Sequence, residues 1–133
     1  MATTLNSEET YKLANNFYDL TFSMTNYLVT NWNNPQLSIS DRDKLIENIK
    51  MISSNSQKML AQTTILEVEN SKKSLADIEK ATSDIKVVLV AIANIQKAIN
   101  ISAMVVTLGA AILTKNPEAI IGAVKGLQKA VIA

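Results

Sequence analysis

The chain has 133 residues, a formal net charge of +1, and neither histidine nor cysteine. Without imidazole or thiolate, the usual zinc, di-iron and haem ligand sets, the histidine-based catalytic triads and disulfide bonds are excluded. The near-neutral charge and the 5% aromatic content also argue against nucleic-acid binding. We therefore expect one non-enzymatic domain over residues 1–133, without catalytic, metal or cofactor residues.

Charge divides the chain into two parts. Residues 1–86 hold nine Lys or Arg and eleven Asp or Glu, whereas residues 87–133 hold four Lys and one Glu. This division predicts a polar helical body over about 7–86 and an apolar, weakly basic part over about 87–133. The N-terminal sequence MATTLNSEET lacks the basic and apolar blocks of a signal peptide. An exported form is therefore expected to leave by a route without a cleaved leader.

The first predicted element is a helix that begins after Ser7. It ends near TNWNNP, because Asn-rich sequence and Pro35 both disfavour helix. Apolar residues recur at 4-3-4-4 spacing, which predicts one buried face. The residues of this face are Leu13, Phe17, Leu20, Met24 and Leu28, and Tyr11, Tyr18 and Phe22 are expected to widen it.

A second helix is expected to start at Ser40, which would cap it with Asp43 as its capping-box partner. Its apolar seam alternates spacings of four and three residues. The seam consists of Leu45, Ile49, Ile52, Ser56, Met59, Thr63 and Leu66. Around ENSKKSLAD the seam lapses, and the sequence favours a turn there, with Ser74 suited to a new helix start. The open alternative is one continuous rod over residues 41–113, about 110 Å long at the helical rise per residue.

Beyond this point the spacing predicts an unbroken heptad seam that runs to the end of a long helix. Its residues are Leu75, Ile78, Thr82, Ile85, Leu89, Ile92, Gln96, Ile99, Ala103, Val106, Ala110 and Leu113. The sequence Asn116-Pro117-Glu118 then predicts the start of a last helix, hinged on TKN. The expected fold class is all-α, an elongated bundle of three to four helices with an apolar C-terminal helical hairpin.

The stretch from Val87 to Thr114 carries one charge, Lys97. As a helix it would be about 42 Å long, longer than the roughly 30 Å hydrocarbon core of a bilayer. One stripe of it is weakly polar or small: Gln96, Asn100, Thr107 and Thr114, flanked by Ala93, Ala103 and Ala110. The opposite face is aliphatic: Ile101, Val105, Leu108 and Ile112. This helix is either the most buried one of a soluble bundle or a membrane helix whose aliphatic face meets lipid.

The last helix also has two distinct stripes. One is aliphatic and consists of Ile120, Val124, Leu127 and Val131. The other is small and consists of Ala119, Gly122, Gly126 and Ala130. Glycines four residues apart let two helix backbones approach closely, in membranes especially. Alternatively, the two glycines accommodate a bulky neighbour in a tightly packed bundle.

The C-terminal hairpin resembles an element of a known protein class. A long polar helical body followed by ISAMVVTLGAAILTKNPEAIIGAVKGL is similar in organisation to the α-helical pore-forming toxins of the cytolysin A-like kind. The resemblance covers roughly residues 75–133. It implies an apolar element that is hidden in a soluble helical body and is later exposed to enter a membrane and oligomerise. The chain is far shorter than typical members, which suits one component of a multi-part system.

Two functions are compatible with these patterns. The first is a membrane-active protein whose hairpin meets a bilayer, where the basic charge of residues 87–133 favours anionic lipid. The second is a soluble assembly protein that buries the same surface against a second copy or a helical partner. The residues expected to carry either function are Ile101, Val105, Leu108, Ile112, Lys115, Ile120, Gly122, Val124, Gly126 and Leu127.

Overall fold

A computed structural model describes residues 3–4, 7–61, 67–68, 71–91 and 94–132 of the chain. The elements in chain order are β1 (Thr3–Thr4), α1 (Ser7–Thr30), α2 (Ile39–Leu60), β2 (Glu67–Val68), α3 (Ser71–Ala91), α4 (Ile95–Thr114) and α5 (Pro117–Ile132). The two short strands pair antiparallel, with Thr3 opposite Val68. Because each strand has only two residues and the rest of the regular structure is helical, the predicted all-α fold class is confirmed.

The helices of the described residues form a closed bundle in which each helix packs against two others. α1 packs against α2 and α3, and α4 packs against α2 and α5. α3 completes the circuit by packing against α5. Buried side chains from all five helices form one apolar core, whose largest members include Phe17, Leu20, Ile52, Ile78 and Ile85.

α1 begins at Ser7, ends at Thr30, and buries the five spaced apolar residues of the predicted face. The expected widening of this face is wrong, because Tyr11, Tyr18 and Phe22 are exposed. The chain leaves the helix through consecutive turns, in which the Asn34 N–H donates to the Asn31 carbonyl at 2.9 Å and the Leu37 N–H donates to the Asn34 carbonyl at 2.9 Å. Asn-rich sequence therefore ends the helix, as expected.

The predicted start of α2 is wrong by two residues. The cap is Ser38 and not Ser40: its hydroxyl accepts a hydrogen bond from the Asp41 N–H at 3.0 Å, and the Asp41 carboxylate accepts one from the Ser38 N–H at 3.3 Å. Ser40 and Asp43 have the same spacing, so the local pattern does not separate the two caps. The earlier start brings Leu37 into the core, which favours it energetically.

Residues 41–113 do not form a continuous rod. α2 ends at Leu60 and α3 begins at Ser71, so a break separates the two helices, as the lapse of the seam predicts. Leu45, Ile52 and Met59 of the predicted α2 seam are buried. Its last two members, Thr63 and Leu66, lie outside the described residues. The expected helix start at Ser74 is wrong, because α3 begins three residues earlier, at Ser71.

Asn94 interrupts the predicted heptad seam. Its side chain accepts a hydrogen bond from the Lys97 N–H at 3.2 Å and caps α4, which is therefore a separate helix from α3. The described residues thus form five helices, whereas three to four were predicted. The predicted residues Ile92 and Ala93 lie outside the described part of the chain.

The restart at Asn94 also changes which face of α4 is buried. On α3 the predicted seam is buried, including Thr82 and Ile85. On α4 the predicted seam is only partly correct: Ile99 is buried and Val106 and Leu113 are partly buried against the core, whereas Gln96, Ala103 and Ala110 are exposed. The spacing of four and three residues continues across the break, but the new helix presents its other, aliphatic face to the core.

Candidate functional site: the α4–α5 hairpin

Two local features form the hairpin turn, a left-handed residue that ends α4 and a side-chain cap that starts α5. Lys115 adopts the left-handed conformation, with φ of 59°, and its N–H donates to the Ile112 carbonyl at 3.0 Å. The Asn116 side chain then caps α5 by accepting a hydrogen bond from the Ala119 N–H at 3.1 Å. The α5 start predicted from Asn116-Pro117-Glu118 is therefore confirmed, and Lys115 lies exposed at the apex of the hairpin.

The aliphatic faces of both hairpin helices line the bundle core. Seven of the predicted site residues are almost entirely buried: Ile101, Val105, Leu108, Ile112, Ile120, Val124 and Leu127. Fully burying one such side chain contributes about 1.5–3 kcal/mol, so the seven together contribute on the order of 10–20 kcal/mol. Exposing these side chains to water is therefore strongly unfavourable, and transfer to another apolar environment costs far less.

The outer face of α4 is solvent-exposed and carries no charge from Ala98 to Thr114. Its residues are the predicted stripe of small or weakly polar side chains: Gln96, Asn100, Ala103, Thr107, Ala110 and Thr114. About half of α4 is buried inside the protein. The stripe therefore faces solvent, and within it Gln96 makes a hydrogen bond to a neighbouring helix, to Asp41 of α2.

Three polar contacts join α4 to α2. The Asn48 side-chain N–H donates to the Ser102 hydroxyl at 2.8 Å, and the Asn55 side-chain N–H donates to the Val106 carbonyl at 3.5 Å. At the beginning of α4, the Gln96 side-chain N–H donates to an Asp41 carboxylate oxygen at 3.4 Å. These contacts involve one charged group, so the hairpin is held to α2 mainly by apolar packing.

Gly109 allows the closest approach between α2 and α4. A Cβ atom at this position would lie 2.8 Å from Nδ2 and 3.3 Å from Cβ of Asn55, which is tighter than ordinary van der Waals contact. Ser102 and Gly109 on α4 and Asn48 and Asn55 on α2 are each seven residues apart. These four residues were not predicted as part of the site. The matching seven-residue spacing of polar or small residues is the signal that could have found them.

The two glycines of the predicted small stripe make no close approach to any part of the chain that the structure describes. A Cβ added at Gly122 would meet nothing within 4 Å, and one at Gly126 would lie 3.6 Å from Cε of Met104, an ordinary contact. Gly122 is exposed. The bulky neighbour that these glycines were alternatively expected to accommodate is therefore not found at Gly122.

An ion pair connects two helices of the body: Lys86 of α3 lies 3.3 Å from Asp19 of α1. Another, Lys80–Asp84 at 3.3 Å, lies within α3. The titratable group at the root of the hairpin is Asp41. Burial raises its pKa, but hydrogen bonds from Ser38 and Gln96 and the charge of Lys44 outweigh burial, so its pKa lies below the usual value.

The described residues hold no group of three or more His, Cys, Asp or Glu side chains that could bind a metal ion. α4 is the helix in this part of the chain that is long and apolar enough to cross a membrane, a test that the core helix of a soluble protein also passes. Comparisons with protein family models, curated proteins and solved structures found no match to the chain.

Proposed function

We propose that this protein is a membrane-active helical module whose α4–α5 hairpin leaves the bundle and enters a bilayer. The observation that carries the proposal is the sidedness of α4. Its aliphatic face is buried in the core, whereas its exposed face is small, weakly polar and uncharged from Ala98 to Thr114. In a bilayer the first face suits lipid and the second suits contact with other helices or water.

The dimensions of α4 support this function. Its 20 residues correspond to about 30 Å of helix, the thickness of a bilayer hydrocarbon core. Lys97 lies in the first turn of α4, where a long side chain can place its charge at the interface. Lipid would solvate the aliphatic side chains that the core releases, which water cannot do at a comparable free energy.

Oligomerisation follows from the small-residue stripe of α5. Gly122 leaves space beside the helix backbone, and a second helix can fill that space at close range in a membrane. A hairpin that is buried at first, then exposed and finally assembled in a membrane is what the resemblance to cytolysin A-like pore-forming toxins implies. We propose that this protein is one component of such a system.

The alternative is a soluble assembly protein, which the exposed Ile121 beside Gly122 favours. In that case a second copy or a helical partner covers the outer face of α5 in water, and the aliphatic face of α4 never leaves the core. The two functions therefore differ in whether the hairpin separates from α2.

A reversible crosslink between α2 and α4 tests this difference. Asn48→Cys with Ser102→Cys replaces a pair of side chains in direct contact, in a chain without native cysteine. The oxidised double variant is expected to bind vesicles of phosphatidylcholine and phosphatidylserine without releasing an enclosed dye, and reductant is expected to restore release.

The two single-cysteine variants are the matched controls, since they meet the same oxidant without forming the crosslink. Equal dye release from the crosslinked and reduced forms would contradict separation of the hairpin from α2. If wild type neither binds the vesicles nor releases dye but associates in solution, the assembly function replaces the membrane function.

A further inference from the structure

One end of the bundle brings together the ends of several helices. The connection between α1 and α2 reaches this end, because Gln36 lines a surface groove together with Asn94, Ile95 and Gln96 at the start of α4. The end of α5 is there too, since Ala130 lines a neighbouring groove with Asn94. The last turn of α3 precedes Asn94 by a few residues and belongs to the same end.

Exposed apolar side chains are concentrated at this end. The described residues include twelve exposed large hydrophobic side chains, and six of them lie within two helical turns of the end. We call this surface the Trp32 end; it consists of Val29, Trp32, Ile39, Val87, Val90 and Ile132. Val90 and Ile132 are 89% and 86% exposed, so almost the whole of each side chain meets solvent.

Trp32 is held in a fixed position at this surface. The Arg42 guanidinium lies over its indole ring at 4.3 Å from the ring centroid and also donates a hydrogen bond to the Trp32 carbonyl. The indole nevertheless stays 42% exposed. An aromatic ring with one side on a cation and another side open to solvent is suited to the interface between water and lipid.

The charge at this end favours an anionic surface. The two helical turns nearest this end carry five basic residues, Arg42, Lys44, Lys86, Lys97 and Lys129, of which Lys86 pairs with Asp19, and two acidic residues, Asp41 and Asp43. Asp41 accepts hydrogen bonds from the Ser38 N–H and the Gln96 side chain, so its charge is partly compensated within the protein. The exposed balance is therefore positive, although the whole chain carries only +1.

We propose that the Trp32 end docks on the surface of an anionic lipid bilayer. The inference rests on the proposed membrane function and names the surface that makes the first contact. Exposed aliphatic side chains enter the interface, Trp32 lies at the level of the headgroups, and the lysines meet the acidic lipid.

This docking orients the hairpin. α4 begins at Asn94 in the Trp32 end, and the turn at Lys115 lies at the opposite end of the helix. When docking places the first turn of α4 at the bilayer surface, the hairpin can swing away from α2 about this turn. The Lys115 end of the hairpin then crosses the bilayer. The buried face of α4 then exchanges the core for lipid over its full length.

The intrinsic fluorescence of Trp32, the single tryptophan of the chain, reports the docking directly. Vesicles of phosphatidylcholine with phosphatidylserine should shift its emission to the blue, and brominated lipid should quench it. Vesicles of phosphatidylcholine alone should give a weaker response, and added salt should weaken the response to the anionic vesicles. No shift with anionic vesicles would overturn the proposal.

Matched variants separate this surface from the rest of the molecule. Ile39→Gln with Val90→Gln and Ile132→Gln should abolish or greatly reduce vesicle binding, with an unchanged thermal midpoint because all three side chains are exposed. The control removes three exposed apolar side chains outside both the Trp32 end and the hairpin, Tyr11→Gln, Met51→Gln and Leu60→Gln, and should bind like wild type. Equal loss in both triple variants would overturn the proposal.

The lysines are tested in the same way. Lys97→Gln and Lys129→Gln should each weaken binding to anionic vesicles about fivefold, the effect of roughly one basic residue near an acidic surface. Lys12→Gln and Lys58→Gln, which change exposed lysines far from the Trp32 end, are the controls and should have little effect.

The outcome is separable from that of the proposed function. The crosslinked Asn48→Cys, Ser102→Cys protein should still dock and shift the Trp32 emission, since docking does not need the hairpin to move. Dye release by wild type without any Trp32 shift would overturn the docking proposal and leave hairpin entry intact. A blue shift that depends on protein concentration without lipid would assign the Trp32 end to a second copy and overturn lipid docking.

Discussion

At the scale of single residues, two glycines in the hairpin have opposite surroundings. Gly109 lies against Asn55 of α2, where a Cβ atom would be too close, whereas Gly122 lies beside open space. Glycine within a helix costs about 1 kcal/mol relative to alanine. The close contact between α2 and α4 at Gly109 therefore offsets the helix-propensity cost of that glycine. No such contact offsets the cost of Gly122.

We expect the two alanine variants to change stability in opposite directions. Gly109→Ala should lower the free energy of unfolding by about 1 kcal/mol, because overpacking against Asn55 exceeds the gain in helix propensity. Gly122→Ala should raise it by up to about 1 kcal/mol, since nothing opposes that gain. Urea unfolding at constant pH measures both changes, and a stabilising Gly109→Ala would contradict the contact geometry.

At the scale of elements, the caps decide where each helix begins. Ser38, Asn94 and Asn116 each accept a hydrogen bond from a backbone N–H of the first turn. Neither cap alone fixes the buried face, since Leu45, Ile52 and Met59 of the predicted α2 seam stay buried although the cap lies two residues earlier than expected. At Asn94, by contrast, the chain starts a new helix, and α4 buries its aliphatic face.

The cap of α2 gives a direct test of its observed start. Ser38→Ala should destabilise the protein by about 1 kcal/mol, because it removes the acceptor for the Asp41 N–H. Ser40→Ala should change stability little, since Ser40 is exposed inside the first turn. Thermal unfolding of the two variants compares them, and a larger loss in Ser40→Ala would return the cap to its predicted position.

The sequence predicts those parts of the fold that depend on local signals. The buried face of α1 and the start of α5 are correct because apolar spacing, an Asn cap and Pro117 act within a few residues of each other. The break at Asn94 is missed because the heptad spacing of Leu89 and Ile99 continues across it. The contacts of Asn48 and Asn55 with α4 are missed because they join residues more than fifty positions apart, whose pairing no local pattern specifies.

At the scale of the whole molecule, Asp41 links the start of α2 to the root of the hairpin. Its pKa is lowered in the folded protein, mainly by hydrogen bonds that outweigh burial. A carboxyl group with a lowered folded-state pKa stabilises the fold above its ordinary pKa of about 3.9, and this contribution is lost as the pH falls through the folded-state value.

Acidification should therefore weaken wild type more than a variant without this carboxylate. Asp41→Asn is expected to be less stable than wild type at pH 7 and to lose less stability between pH 7 and about pH 3. Urea midpoints at the two pH values measure the difference. Parallel losses in both proteins would show that Asp41 does not couple the fold to pH.

The position of α3 has a consequence for how the chain folds. α1 with α2, and α4 with α5, are neighbours in sequence and can pair over short loops, whereas α3 packs against the first and last helices. Its ion pair from Lys86 to Asp19 spans 67 residues. Because contacts of large sequence separation form slowly, α3 is expected to dock last. During that interval α3 can dock on the α1 of a neighbouring molecule instead, so refolding from concentrated solution should trap domain-swapped dimers that are distinct from any membrane oligomer.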